Sequence, residues 1–132
     1  MKILAKTKSS DIATVYVAEI RPGKLAEMVE SLQPPIPRED KWVLIISTLY
    51  GCPVECRFCD CGGDYKGRID ETGLLAQIDF LIRSRYPEGI VPVKKLKIKF
   101  ARIGEPAYNP AVVSVLSKLP AMYDMPGLMP SI

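Results

Sequence analysis

The chain has 132 residues, the size of one ordinary domain, and its 48% hydrophobic content is enough to bury a real core. Its 25% charged residues and a longest aliphatic run of only Val43-Leu44-Ile45-Ile46 leave no membrane-spanning helix, which needs about 20 apolar residues. A net charge of +3, scattered among acids, permits an RNA partner without arguing for one, and the short apolar start at Met1 is no secretion signal, so a cytosolic location is expected.

Residues 3–20 hold two apolar stretches separated by Lys8-Ser9-Ser10-Asp11. Thr14-Val15-Tyr16-Val17-Ala18 is β-branched and aromatic enough for a strand, so a small hairpin is expected. After a Pro22-Gly23 turn, Leu25, Met28, Val29 and Leu32 recur at helical spacing and predict a helix, closed by a stiff linker containing Pro34, Pro35 and Pro37. The domain boundary is placed there: an N-terminal hairpin, helix and linker over 1–38, and a second unit over 39–132.

Residues 42–47 are a continuous apolar run, the pattern of a strand buried on both faces, and a cysteine loop follows at once. Leu74, Leu75, Ile78, Leu81 and Ile82 mark one face of a helix over 71–85, and residues 95–101 form a second strand. Val112, Val113, Val115, Leu116 and Leu119 suggest a second helix stopping at Pro120, and 127–132 read as the opening of a third strand. The order β-loop-α-β-loop-α calls for parallel strands with right-handed crossovers. The expected fold class is α/β, a partial (β/α) barrel with parallel strands preceded by the small hairpin and helix. A full barrel needs roughly 200 residues or more, so the chain reads as truncated, with a small open α/β domain complete in itself as the alternative.

All four cysteines, Cys52, Cys56, Cys59 and Cys61, fall within ten residues, which suits metal or cluster ligation better than a disulfide framework. Histidine is absent, which removes the commonest metal ligand and general base. Cys52, Cys56 and Cys59 have the spacing C-x3-C-x2-C. In a 4Fe-4S cluster three thiolates would leave one iron open for a cofactor or substrate to chelate. The rival is a structural zinc site on all four cysteines, but zinc loops usually split into two separated pairs, whereas Cys59 and Cys61 are one residue apart. Cys61 is read as a bystander, because the three-cysteine loop is complete without it.

The motif C-x3-C-x-aromatic-C after a buried strand resembles the signature of the radical S-adenosylmethionine superfamily. The resemblance implies Cys52, Cys56 and Cys59 as ligands of a 4Fe-4S cluster, with S-adenosylmethionine chelating the open iron and being split to a 5′-deoxyadenosyl radical. It implies Phe58 beside the adenine, and Gly104-Glu105-Pro106 at the methionyl amino group. It also implies a reductase or flavodoxin-type electron donor. The stretch 104–109, with Ser47-Thr48-Leu49-Tyr50-Gly51-Cys52 and Gly62-Gly63, is most similar to the ribosomal RNA adenine methyltransferase branch. In that branch a further catalytic cysteine lies far beyond the cluster loop; none follows Cys61, so no catalytic residue is assigned. A radical enzyme acting on a peptide or small metabolite, or a metal-binding module without turnover, are the alternatives.

Two further features have structural explanations beside functional ones. Asn109 immediately precedes Pro110 and reads as a helix cap. Lys95, Lys97 and Lys99 alternate with Leu96, Ile98 and Phe100, which gives one cationic strand face. That face is expected to be exposed or covered by charged helix residues; the functional alternative is a lumen that receives a phosphate-bearing substrate such as RNA.

Overall fold

The computed structural model describes residues 1–7 and 12–132; the Lys8-Ser9-Ser10-Asp11 break expected inside the first hairpin lies outside the described residues. The elements are β1 (Lys2–Lys6), β2 (Ala13–Arg21), β3 (Lys24–Ser31), β4 (Trp42–Ile46), α1 (Glu71–Arg83), β5 (Leu96–Lys99), α2 (Ala111–Met122) and β6 (Leu128–Ser131). All six strands form one sheet in chain order. β1 to β4 pair antiparallel, and β4, β5 and β6 run parallel through the crossovers that carry α1 and α2.

The sheet alternates as a one-sided sheet should. Tyr16, Ala18 and Ile20 of β2, Ala26 and Met28 of β3, Trp42, Leu44 and Ile46 of β4, and Leu96 and Ile98 of β5 are buried. They form one core with Leu74, Ile78, Leu81 and Ile82 of α1 and Val112, Val115 and Leu119 of α2. The N-cap of α1 is Asp70, whose side chain accepts from the Gly73 N–H at 2.8 Å, with Glu71 in the first turn and Arg83 in the last complementing the helix dipole.

Three expectations are corrected. The segment after Pro22-Gly23 is a strand and not a helix, so the N-terminal part is a three-stranded antiparallel meander. Leu25, the first residue of the supposed apolar helix face, is 51% exposed, while Ala26, Met28 and Glu30 alternate onto the covered face. A carboxylate on a buried face hides the period of two. Second, the parallel strands β4, β5 and β6 expected of a partial barrel continue the antiparallel meander in one open, mixed sheet with β1 and β6 at its edges; a closed barrel is not seen among the described residues. Third, α2 continues through Pro120 to Met122. The proline sits in the last turn, where it removes a single amide, and the Tyr123 N–H closes on the Leu119 carbonyl at 3.3 Å.

Glu30 is held by three bonds. Arg85 donates from Nε to Oε2 at 2.6 Å and from Nη2 to Oε1 at 2.8 Å, and the Tyr16 hydroxyl donates to Oε1 at 3.0 Å. This fork ties the end of α1 to the centre of the meander. Burial, reinforced by the Glu30 charge, pushes the Tyr16 hydroxyl up to about 12.

Candidate functional site

The site is built at the C-terminal ends of β4 and β5, the end where parallel βα units carry their chemistry. β4 runs out through Ser47 and Thr48 into the long loop that leads to Asp70. A short ladder closes the base of this loop. Ile69 N–H donates to Thr48 O at 3.1 Å and Tyr50 N–H to Gly67 O at 2.9 Å, and Lys66 N–H donates to Tyr50 O at 2.7 Å. Gly63 N–H donates to Cys52 O at 2.8 Å, which fixes Cys52 at the top of the ladder, while Cys56 and Cys59 sit on the exposed turn beyond, joined by Cys59 N–H to Cys56 O at 3.0 Å.

Backbone strain concentrates here. Glu55 and Asp64 take left-handed φ values of 52° and 45°, an uncommon conformation for residues with side chains. Gly51, at φ +72°, is required by space as well, because a Cβ there would meet the Asp64 carbonyl oxygen at 2.5 Å. The crossing after β5 has the same character. Gly104 has φ +97°, and a Cβ on it would lie 2.5 Å from the Leu49 side chain. The Gly104 backbone therefore lies directly against the base of the cysteine loop.

That approach brings the two sequence motifs together. Cys52, Cys56, Cys59, Gly104, Glu105 and Pro106 line one cavity of about 490 Å³, which Cys61 and Arg102 also border. Such a volume suits a small cofactor. None of the four cysteines is in a disulfide. A second cavity of about 490 Å³ lies on the other side of Cys61 and Arg102, with Tyr50, Lys24 and Lys66 in its wall. Burial pushes the Cys61 thiol up, helped by the Cys59 thiol and the Asp60 carboxylate. The donor chemistry fits a 4Fe-4S cluster: three free cysteines at the required spacing share a cavity with a carboxylate that can face a cationic amino group.

Glu105 also caps the single 3₁₀ turn Pro106–Tyr108, accepting the Ala107 N–H on Oε1 at 3.1 Å. The cap leaves the carboxylate free to accept further bonds, since its two oxygens accept several.

No family model matches. In sequence the chain is 28% identical over 109 residues to the dual-specificity RNA methyltransferase RlmN of Halorhodospira halophila, covering 82% of this chain and 28% of that protein. It is 30% identical over 112 residues to RlmN of Bdellovibrio bacteriovorus, covering 84% of this chain and 26% of that one. The chain is a relative of the RlmN methyltransferases. Its fold matches a radical SAM methyltransferase from Sphaerobacter thermophilus with a TM-score of 0.71 and 20% identity, over 87% of this chain and 32% of that one. The chain thus spans about a quarter of the length of these RlmN proteins.

Within this RlmN-like chain not every sequence-derived residue faces the cavity. Phe58 is 95% exposed and stands outside the lining. Lys97 and Lys99 are half-buried on the sheet face that the helices leave uncovered, beside Val43 and Ile45, while Lys95 precedes β5 and is exposed. They are not covered by helix residues.

The N-cap position of α2 falls on Pro110, without a side-chain cap bond, so Asn109 stands one residue before the cap expected of it and makes other contacts. Its Oδ1 accepts the Ala111 N–H at 3.1 Å, and its Nδ2 donates to Thr48 O and Ile69 O at 2.8 Å each. It is 2% exposed, and it fastens both ends of the cysteine loop to the turn that carries Glu105. Gln77, fully buried, works similarly from α1, accepting from Ser47 N–H and donating to Ser47 O, both at 3.0 Å. Arg102 was missed as well; its guanidinium pairs with Glu27 through Nε at 2.9 Å, which leaves that cation largely neutralised where it borders the cavity.

The Asn109→Asp variant keeps the acceptor for the Ala111 N–H but sets a carboxylate oxygen against two carbonyls. A loss of roughly 1–3 kcal/mol is expected, because Ile69 O loses its partner, while Thr48 O keeps the Ile69 N–H and loses only its second bond. Amide exchange at Cys52 and Gly63 should accelerate more than exchange in β2 and β3. Equal acceleration throughout would show that Asn109 only supports global stability.

Proposed function

We propose that this chain forms part of a radical S-adenosylmethionine methyltransferase, holding a 4Fe-4S cluster through Cys52, Cys56 and Cys59. The observation that carries the proposal is that these cysteines and Gly104-Glu105-Pro106 line a single cavity although 45 positions separate Cys59 from Gly104. When bound, the cluster supplies the electron that splits the sulfonium of S-adenosylmethionine. Glu105 offers its carboxylate to the methionyl amino group. The Gly104 backbone, free of a side chain, lets that segment sit close enough to share the cavity with the thiols. Phe58 serves the adenine side, reaching it by movement of the exposed cysteine turn.

The substrate proposed is RNA, in keeping with the names of the relatives, and the electron donor is a reductase or flavodoxin-type protein. Lys97 and Lys99 on the uncovered sheet face support an RNA role, since basic side chains provide most of the affinity for a phosphate backbone. No helix among the described residues is long and apolar enough to cross a membrane, and four free thiols suit a reducing compartment such as the cytosol.

The direct test is production of 5′-deoxyadenosine from S-adenosylmethionine by the anaerobically reconstituted chain with a strong reductant. Formation in wild type and loss in Glu105→Ala, with iron content unchanged, supports the assignment; no product from a fully loaded protein removes it. The RNA substrate is tested separately. Binding to a ribosomal RNA fragment should weaken with salt, with a log–log slope of about −0.7 per phosphate contacted for a single strand, and Lys97→Ala with Lys99→Ala should flatten it. A salt-independent or absent signal would favour a peptide or small-metabolite substrate.

A further inference from the structure

The cluster proposal gives Cys61 no role, yet its surroundings are those of a ligand. Cys61 is half-buried between the two cavities, and its thiol donates to Asp60 Oδ1 at 3.7 Å. The Cys59 thiol, one Asp60 carboxylate oxygen and the Cys61 thiol all lie within 4.8 Å of one another, a grouping to which neither Cys52 nor Cys56 belongs. We propose that Cys59, Asp60 and Cys61 form a second metal site, for one divalent ion of the zinc type, which excludes the cluster because both need Cys59.

The geometry is close to that of the occupied state. Zinc–sulfur bonds of about 2.3 Å at tetrahedral angles place two thiolates about 3.8 Å apart. A triad already gathered within 4.8 Å reaches that spacing by side-chain rotation on an exposed turn. The donor set is two soft thiolates and one carboxylate, suited to zinc and its spectroscopic substitute cobalt, with the fourth position left to water. Binding displaces the two thiol protons. Cys52 is not part of this grouping, and its backbone is tied to Gly63 by two ladder bonds.

Only the exclusion of the cluster rests on the cluster assignment; the site itself does not. The test is anaerobic titration of the reduced apo-protein with cobalt(II), followed by its tetrahedral d–d bands and thiolate charge-transfer absorption. Saturation at one ion per chain is expected, with displacement by zinc. The bands should disappear in Cys61→Ser, affinity should fall at least about tenfold in Asp60→Asn, and Cys52→Ser should behave as wild type. Bands that survive Cys61→Ser, or vanish equally in Cys52→Ser, overturn the proposal. In a second arm, one equivalent of zinc added before iron and sulfide should lower cluster incorporation in wild type and not in Cys61→Ser; equal incorporation with and without zinc in wild type overturns the exclusion. Failure of wild type to assemble a cluster even without zinc counts against the cluster assignment and leaves the cobalt result standing.

Discussion

The Cys56→Ala variant is expected to retain less than about a tenth of the iron and sulfide that the wild-type chain takes up on anaerobic reconstitution, given that outer-sphere changes alone cost 10–100-fold in metal affinity. Cys56 stands on the exposed turn of the loop, away from the ladder that holds Cys52, and its side chain supports no part of the core. The variant should therefore fold as wild type, and its circular dichroism and urea midpoint should be unchanged. Loss of the cluster without loss of fold is what separates a ligand from a structural cysteine. Cys61→Ala provides the contrast, since the cluster set is complete without it and incorporation should persist.

The largest effect on stability is expected at Glu30→Ala. The carboxylate side chain is 6% exposed and accepts two bonds from Arg85, whose side chain is 33% exposed. Removing one partner of a buried pair costs about 3–5 kcal/mol, and partial hydration of the stranded guanidinium reduces this to roughly 2–4 kcal/mol. The urea midpoint reads the loss directly. A change below about 0.5 kcal/mol would mean that the fork adds little and that α1 is held by its apolar face alone.

The same group sets a pH dependence. Burial alone would raise the Glu30 carboxyl, but the bonds and charge of Arg85 and the bond from Tyr16 win, and it lies below its ordinary 4.5. The folded state therefore binds this proton more weakly than the unfolded chain does. Its contribution is fully present above about pH 4.5 and is lost as pH falls through the folded value. Glu30→Gln should flatten the acid limb of the stability curve.

Much of the site was legible because its chemistry is local. The C-x3-C-x2-C spacing and the Gly104-Glu105-Pro106 run are contiguous, and the continuous apolar run of β4 with the apolar periods of β5 and α1 placed both motifs at one end of the sheet. The strand at Lys24–Ser31 was not legible, because Glu30 interrupts the alternation and its compensating partner Arg85 is 55 residues away. The anchoring roles of Asn109 and Gln77 were hidden for the same reason: the contacts from Asn109 reach back 61 and 40 residues, and that from Gln77 reaches back 30. A polar residue buried by distant backbone leaves no periodic trace. Conversely, Lys97 and Lys99 were read correctly as one strand face, while Lys95 falls just before the strand, and which way that face looks depends on where the helices pack.

The position of Gly104 against Leu49 is the hinge of the functional assignment, since it is what allows Glu105 and the cysteines to share a cavity. The most direct measurement is electron paramagnetic resonance of the reduced, reconstituted chain, recorded with and without S-adenosylmethionine. A reduced 4Fe-4S signal whose g-values shift on adding S-adenosylmethionine, and shift much less in Gly104→Ala, is the expected result. A wild-type cluster signal indifferent to S-adenosylmethionine, or no cluster signal at all, would contradict an open-iron site and with it the enzymatic assignment.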